Sequence, residues 1–260
     1  MEPWLATSLY ALAAGLVVSL VALSGAFVLW LPPERLRRWV PNLVALAVGI
    51  LLGDAFIHLI PDAVARHGDV GGVCLAVLGG LFLFFVLEKW VRWRHDHAPA
   101  QGPGSASVQP MARMNLIGDA VHNFIDGILI AGSFWADPWI GTTTTLAIVA
   151  HEIPQEIGDV GALIHGGYRP AEAIRYNFYC SLTVLAGIAA TLLLGHYAEA
   201  SLTLLLPMAA GGFIYIAASD FIPALHEPAA DTGWGQVPAF ALGVGFMQSV
   251  VVPEPLIATH

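Results

Sequence analysis

The chain has 260 residues, of which 57% are hydrophobic and only 11% charged, and its 10 Lys and Arg stand against 19 Asp and Glu for a net charge of −9. A soluble domain is about 45–50% apolar and about 25% charged, so too few charges exist here to coat a globule. The hydrophobic content excludes a disordered chain, and the acidic balance excludes a nucleic-acid binder.

The fold class that follows is all-α: a polytopic membrane bundle of eight transmembrane helices. It reads as a single domain over 1–260, with spans at about 4–31, 40–62, 70–92, 112–136, 138–167, 172–196, 201–224 and 234–254. Residues 3–33, 70–87, 176–195, 201–219 and 232–253 contain no Asp, Glu, Lys or Arg. Each run is about as long as a helix needs to cross ~30 Å of hydrocarbon. The first is too long for a signal peptide, and Met1-Glu2-Pro3 offers no basic start. Cys74 and Cys180 sit in apolar runs and give neither a disulfide framework nor a thiolate metal site.

Basic residues set the expected orientation. Arg35, Arg37 and Arg38 follow the first span. Lys89, Arg92, Arg94 and Arg113 fall between the third and fourth, and Arg169 and Arg175 between the fifth and sixth. Only Arg66 falls on the opposite side. The nine that share a face mark it as cytoplasmic, so both termini are expected outside. Trp4, Trp30, Trp39, Trp90, Trp93, Trp135, Trp139 and Trp234 sit near span ends, as an aromatic belt does. The 95–110 segment reads as a mobile cytoplasmic loop, in which His95 and His97 are either merely exposed or weak metal contacts.

Ionisable groups inside a span stand out, because a charge at the bilayer centre costs roughly 2.5–3.5 kcal/mol on insertion scales. In the second span, Asp54, His58 and Asp62 recur every four residues near one face. Pro61 and Asp62 read as the end of that helix, and His58 as a candidate ligand. In the fourth span, His122 and Asp126 are four apart and Asp119 continues their stripe. In the fifth, His151 and Gln155 are four apart, as are Glu152 and Glu156, and Asp159 extends the Glu152 face. Pro154 deprives the Ala150 carbonyl of its helical partner, which is tolerated where backbone lines a polar cavity. Two such helices can present imidazole, carboxylate and amide to a divalent ion of borderline softness, such as Zn²⁺ or Fe²⁺. The bland alternative is a structural hydrogen bond between helices. Near the end of the seventh span, Asp220, His226 and Glu227 read as a solvated helix end, with an exit vestibule as the second reading.

These motifs resemble the ZIP family of divalent-metal transporters. The resemblance rests on His122-Asn123-Phe124-Ile125-Asp126-Gly127 and on His151-Glu152-Ile153-Pro154-Gln155-Glu156, with Gly53-Asp54-Ala55 and His58-Leu59 in support. It is closest to the subfamily whose fifth-span motif runs His-Glu-x-Pro-His-Glu. It implies uptake of zinc into the cytoplasm, with iron, manganese or cadmium as alternative cargo, and no cofactor. It assigns His122, Asp126, His151 and the position of Gln155 to the main site, with Asn123, Glu152 and Glu156 beside it. Asp54, Asp119, Asp159 and His226 then line the pathway. Gln155 departs from the subfamily pattern, which has His there. Binuclear members carry a sixth-span carboxylate; 177–195 contains none, which argues against a second tightly held ion.

A compact chain rich in Ala, Gly, Trp and Arg suggests a bacterial inner membrane. The partners expected are divalent ions and the lipid bilayer, with no nucleic acid. Gly79-Gly80 and Gly211-Gly212 allow close helix approach and leave room for a homodimer. Two rival functions remain open on these residues alone. An intramembrane metalloprotease would need H-E-x-x-H, and Gln155 breaks that motif. A proton-coupled transporter of another solute would also carry intramembrane His and Asp chains.

Overall fold

A computed structural model describes residues 3–96, 108–226 and 233–250. Within them the chain forms eight long helical units and no strand. Helix α1 joins Pro3–Val21 to a 3₁₀ stretch, Ala22–Trp30. Helix α2 runs Pro33–Gly53, widens into a π-turn at Asp54–Leu59 and continues as Ile60–His67. Helices α3, α4 and α5 are Val70–Asp96, Pro110–Ala136 and Pro138–His165. Helix α6 is Pro170–Ser181 followed by Thr183–Leu194. Helix α7 is His196–Tyr215, a second π-turn at Ile216–Phe221, and Ile222–Leu225. Helix α8, Gln236–Val250, follows a short 3₁₀ turn at Gly233–Gly235.

Among the described residues, five stretches are long and apolar enough to cross a membrane: Ala6–Trp30, Pro33–Arg66, Val70–Trp93, Pro170–Leu194 and Ala200–Leu225. Helices α4 and α5 owe their lower hydropathy to the ionisable groups they carry, and they lie inside the bundle, packed on each other. Helix α1 lies against both, α6 covers α4, and α2 covers α5. The remaining close pairs are α3 with α7 and α2 with α8. Helix α3 turns Leu75, Leu78, Phe82 and Val86 outward, where apolar side chains meet lipid tails rather than water. The exposed Trp30, Trp139 and Trp234 stand near helix ends, where the amphipathic ring suits the headgroup level.

Several details depart from the sequence reading. Pro61 does not end α2, which runs to His67 and stops at Gly68 with φ of 71°. The reason is the π-turn before it. Bonding there reaches five residues back, so a residue without an amide hydrogen two positions later fits the re-phased ladder. The same device recurs in α7, where Pro223 follows the π-turn that ends at Phe221. Helix α3 runs to Asp96, four residues past the expected end of its span at about 92 and into the segment read as a loop. His97 and most of the 95–110 connection lie outside the described residues, as does Glu227.

In lipid, helices associate through close packing and hydrogen bonds rather than hydrophobic burial. Gly127 on α4 and Gly187 on α6 face each other, and a Cβ on either would run into the partner's backbone at Val184 or Phe124. Gly49 and Gly243 do the same between α2 and α8, and Gly80 and Gly211 between α3 and α7. The glycines at 80 and 211 are thus used inside the chain, not between copies. Ser19 and Ser181 add a reciprocal pair, each hydroxyl donating to the other's carbonyl at 3.2 Å. Gly187→Ala should therefore destabilise the protein by about 1–3 kcal/mol, the usual cost of overpacking. Gly245→Ala, with nothing within 4 Å of the new methyl, should not. Thermal unfolding of the two variants in detergent checks the contrast; equal midpoints would mean that the α4–α6 seam is loose.

Candidate metal centre

Helical period alone puts His122 and Asp126 on one face of α4, and α5 answers with His151 and Glu152. All four are buried, at 0–8% exposure. One ligand atom from each lies within 4.8 Å of every other. His122 Nε2 is 3.5 Å from Asp126 Oδ2 and 3.3 Å from Glu152 Oε1. His151 Nε2 is 3.7 Å from Asp126 Oδ2 and 3.8 Å from Glu152 Oε1. These separations can be compared with a coordination shell. Ligands held about 2.0–2.2 Å from a tetrahedral zinc lie about 3.3–3.6 Å from one another. The four imidazole–carboxylate separations are therefore close to those of such a shell, slightly opened.

The chemistry of the set agrees with its spacing. Both nitrogens of His122, Nε2 of His151, Oδ2 of Asp126 and both oxygens of Glu152 are buried with no hydrogen-bond partner among the described residues. Buried polar atoms without partners are costly, and several converging on one point ask for a cation. Two carboxylates balance the charge of a divalent ion, and two neutral imidazoles add nitrogen donors without excess charge. Thiolate is not part of the set; Cys180 instead points its sulfur at the Leu116 carbonyl.

The π-turn of α2 supplies the next layer. It sets Asp54 so that Oδ1 meets His58 Nδ1 at 3.2 Å while Oδ2 lies 3.6 Å from His122 Nδ1. With Nε2 of His122 turned to an ion, its Nδ1–H faces the Asp54 carboxylate, an arrangement that fixes the tautomer and ring of a ligating histidine. His58 is only half-buried, its ring centroid 6.2 Å from that of His151, and its Nε2 has no partner. It forms the rim of the cluster. Phe213 of α7 closes the other side, 5.3 Å from the His122 ring.

Toward the end of α5 that carries His165 comes a second polar layer. Asp119, Glu156 and Asp159 are buried there. Asn123 donates to Asp119 at 2.9 Å and Asn115 to Asp159 at 3.1 Å. Asn177 of α6 donates to Glu156. The two neutral amides at 115 and 177 escape a search for charged groups. Asn115 was legible as the continuation of the Asp119 stripe, four residues earlier, whereas Asn177 has no periodic partner. Gln155 is buried, and neither of its amide atoms has a hydrogen-bond partner among the described residues.

Two placements differ from the sequence reading. Glu152 joins the His122–Asp126–His151 set itself rather than standing beside it. At the end of α7, His226 is exposed as expected, but Asp220 is buried and is no part of a solvated helix end. His226 lines a separate apolar groove with Ala45, Ile222 and Phe240. If Asp54 orients His122 as described, Asp54→Asn should weaken Zn²⁺ binding about 10–100-fold while all four ligands remain. Calorimetric titration of the purified variant measures this; unchanged affinity would remove Asp54 from the site.

Known proteins match this chain over most of its length. The family model described as ZIP Zinc transporter matches residues 5–107 and 93–250. The chain is 30% identical over 251 residues to the zinc transporter YKE4 of Saccharomyces cerevisiae, covering 85% of this chain and 72% of that one. It is 28% identical to zinc transporter zipt-7.1 of Caenorhabditis briggsae, over 82% of this chain and 71% of that one. With zinc transporter ZIP4 of Rattus norvegicus the identity is 30%, over 74% of this chain but only 39% of the larger relative. These relatives are eukaryotic, so the bacterial membrane read from composition draws no support from them. A family of transporters, not enzymes, also sets aside the metalloprotease reading. The matched spans and the buried His/Asp/Glu cluster lead to one conclusion: the chain belongs to the ZIP zinc transporter family.

Proposed function

We propose that this chain carries zinc across a cell membrane, as a single transporter domain over 1–260, through the cluster of His122, Asp126, His151 and Glu152. The observation that supports it most is the meeting of these four buried side chains within 4.8 Å, on facing helices. His58 and Asp54 receive the ion and pass it to the cluster. Asn123 and Gln155 offer neutral oxygens beside it. Asp119, Glu156 and Asp159 take the ion onward. Nine of ten basic residues share the face reached by that onward path, which favours transport into the cytoplasm with both termini outside. Iron, manganese and cadmium are secondary cargo, because imidazole and carboxylate together do not exclude them. A homodimer would have to form on lipid-facing surface, since the Gly80–Gly211 seam is filled within the chain.

The mixed ligand set suits transit. An ion must bind firmly enough to enter and weakly enough to leave, and two carboxylates with two imidazoles hold zinc less tightly than thiolates do. Zinc flux into proteoliposomes tests the reading. His122→Ala and His151→Ala should each reduce flux to the level of protein-free vesicles while the protein still inserts. Wild-type flux in either variant would contradict the site.

Gln155→His probes the adjoining position. An added nitrogen ligand should tighten zinc binding about tenfold, roughly 1.4 kcal/mol, and slow turnover, because a more strongly held ion leaves later. Competition between Zn²⁺ and Mn²⁺ reads the effect. An unchanged selectivity ratio would mean that Gln155 faces away from the ion.

A further inference from the structure

A second charged group lies between α3 and α7 and shares no residue with the zinc cluster. Glu88 sits one position beyond the apolar run of α3, and Asp220 sits in the π-turn of α7. Both are nearly buried, at 6% and 7% exposure. Arg92, one turn after Glu88, donates from Nε to Glu88 Oε1. Its Nη2 lies 3.6 Å from Asp220 Oδ1. The Tyr215 hydroxyl donates to the other oxygen of Glu88. Asp220 Oδ2 is buried and has no hydrogen-bond partner among the described residues.

The charges do not balance. Two carboxylates face one guanidinium, leaving an excess of one negative charge in a mostly apolar setting. The carboxylates are held in place. Glu88 stands on a helix locked to α7 by Gly80, Gly211 and Gly212, and the π-turn, a feature often found at functional sites, aims Asp220 at that helix. Arg92 is not held in the same way. More than half of its side chain is exposed, against 8% and 4% for its partners. A long side chain with an exposed stem can swing into solvent without opening the bundle.

We propose that Glu88, Asp220 and the Tyr215 oxygen form a second cation site, built only of oxygens, and that Arg92 is its tethered occupant. A hard divalent cation displaces the guanidinium, because it brings two charges where Arg92 brings one and prefers oxygen ligands. The site is then empty of metal while Arg92 is in place and fills when divalent ions are abundant on that side. The proposal does not depend on the transport reading, since it concerns a different helix pair.

Manganese, which is paramagnetic and favours oxygen ligands, is the probe. The experiment uses full-length protein in which His122→Ala and His151→Ala have disabled the zinc cluster, so the outcome is independent of that cluster's role. Electron paramagnetic resonance counts bound Mn²⁺. Adding Arg92→Gln should tighten binding to one Mn²⁺ per chain at least about tenfold, since the competing charge is gone. Adding Glu88→Gln and Asp220→Asn should then abolish that binding. The same Mn²⁺ affinity with and without Arg92 would overturn the proposal, as would a gain that survives neutralisation of both carboxylates. Should Arg92→Gln not fold, Arg92→Lys keeps the charge but loses the planar fork. It should bind Mn²⁺ with affinity between the two, and affinity equal to that of the Arg92 protein would count against the site.

Discussion

A divalent ion cannot cross about 30 Å of hydrocarbon unless the protein replaces its water at each step. That constraint organises this molecule. Helices α4 and α5 carry the buried side chains proposed as replacement ligands, and the faces that bear them turn away from lipid. They are therefore sheathed by α1, α2 and α6, which present apolar residues outward. The burial of His122, Asp126, His151 and Glu152 is costly without a cation, and it is the pairing of two carboxylates with two imidazoles that offsets the cost when one arrives.

The sheath is assembled by contacts that work in lipid. Glycine seams between α4 and α6, α2 and α8, and α3 and α7 bring backbones close enough for dispersion to act over many atoms. The two π-turns do something different. Each inserts extra backbone where an aspartate must be aimed: Asp54 toward His122, and Asp220 toward Arg92. A regular helix would rotate these side chains by the same increment as every other. The wider turn shifts their phase, and the following Pro61 and Pro223 are accommodated because the ladder is already interrupted there.

Much of this was legible in the residue order. Charge-free runs announced the spans, because membrane length and helical rise fix how many apolar residues are needed. The His122–Asp126 pair was legible because four residues make about one turn. Glu152 was assigned to the neighbouring face by the same 100° arithmetic, yet its side chain is long enough to reach back to the His151 side. Periodicity locates Cβ atoms, not the tips of flexible side chains. The π-turns were invisible, since no residue pattern here separates i→i+5 bonding from i→i+4 bonding. Arg92 reads from the sequence only as one of the basic residues that set orientation, so its pairing with Glu88 and Asp220 goes unmarked there. Asn177 has no charged residue three or four positions away, so helical period does not mark it.

On the proposed reading, zinc is held by two imidazoles and carboxylate oxygen from α4 and α5. X-ray absorption at the zinc edge of the zinc-loaded protein addresses it without reference to transport. A nitrogen and oxygen shell at about 2.0–2.1 Å is expected, with imidazole outer-shell scattering halved in either His122→Ala or His151→Ala and lost when both are replaced. A sulfur shell at about 2.3 Å, or imidazole scattering unchanged by both substitutions, would contradict it.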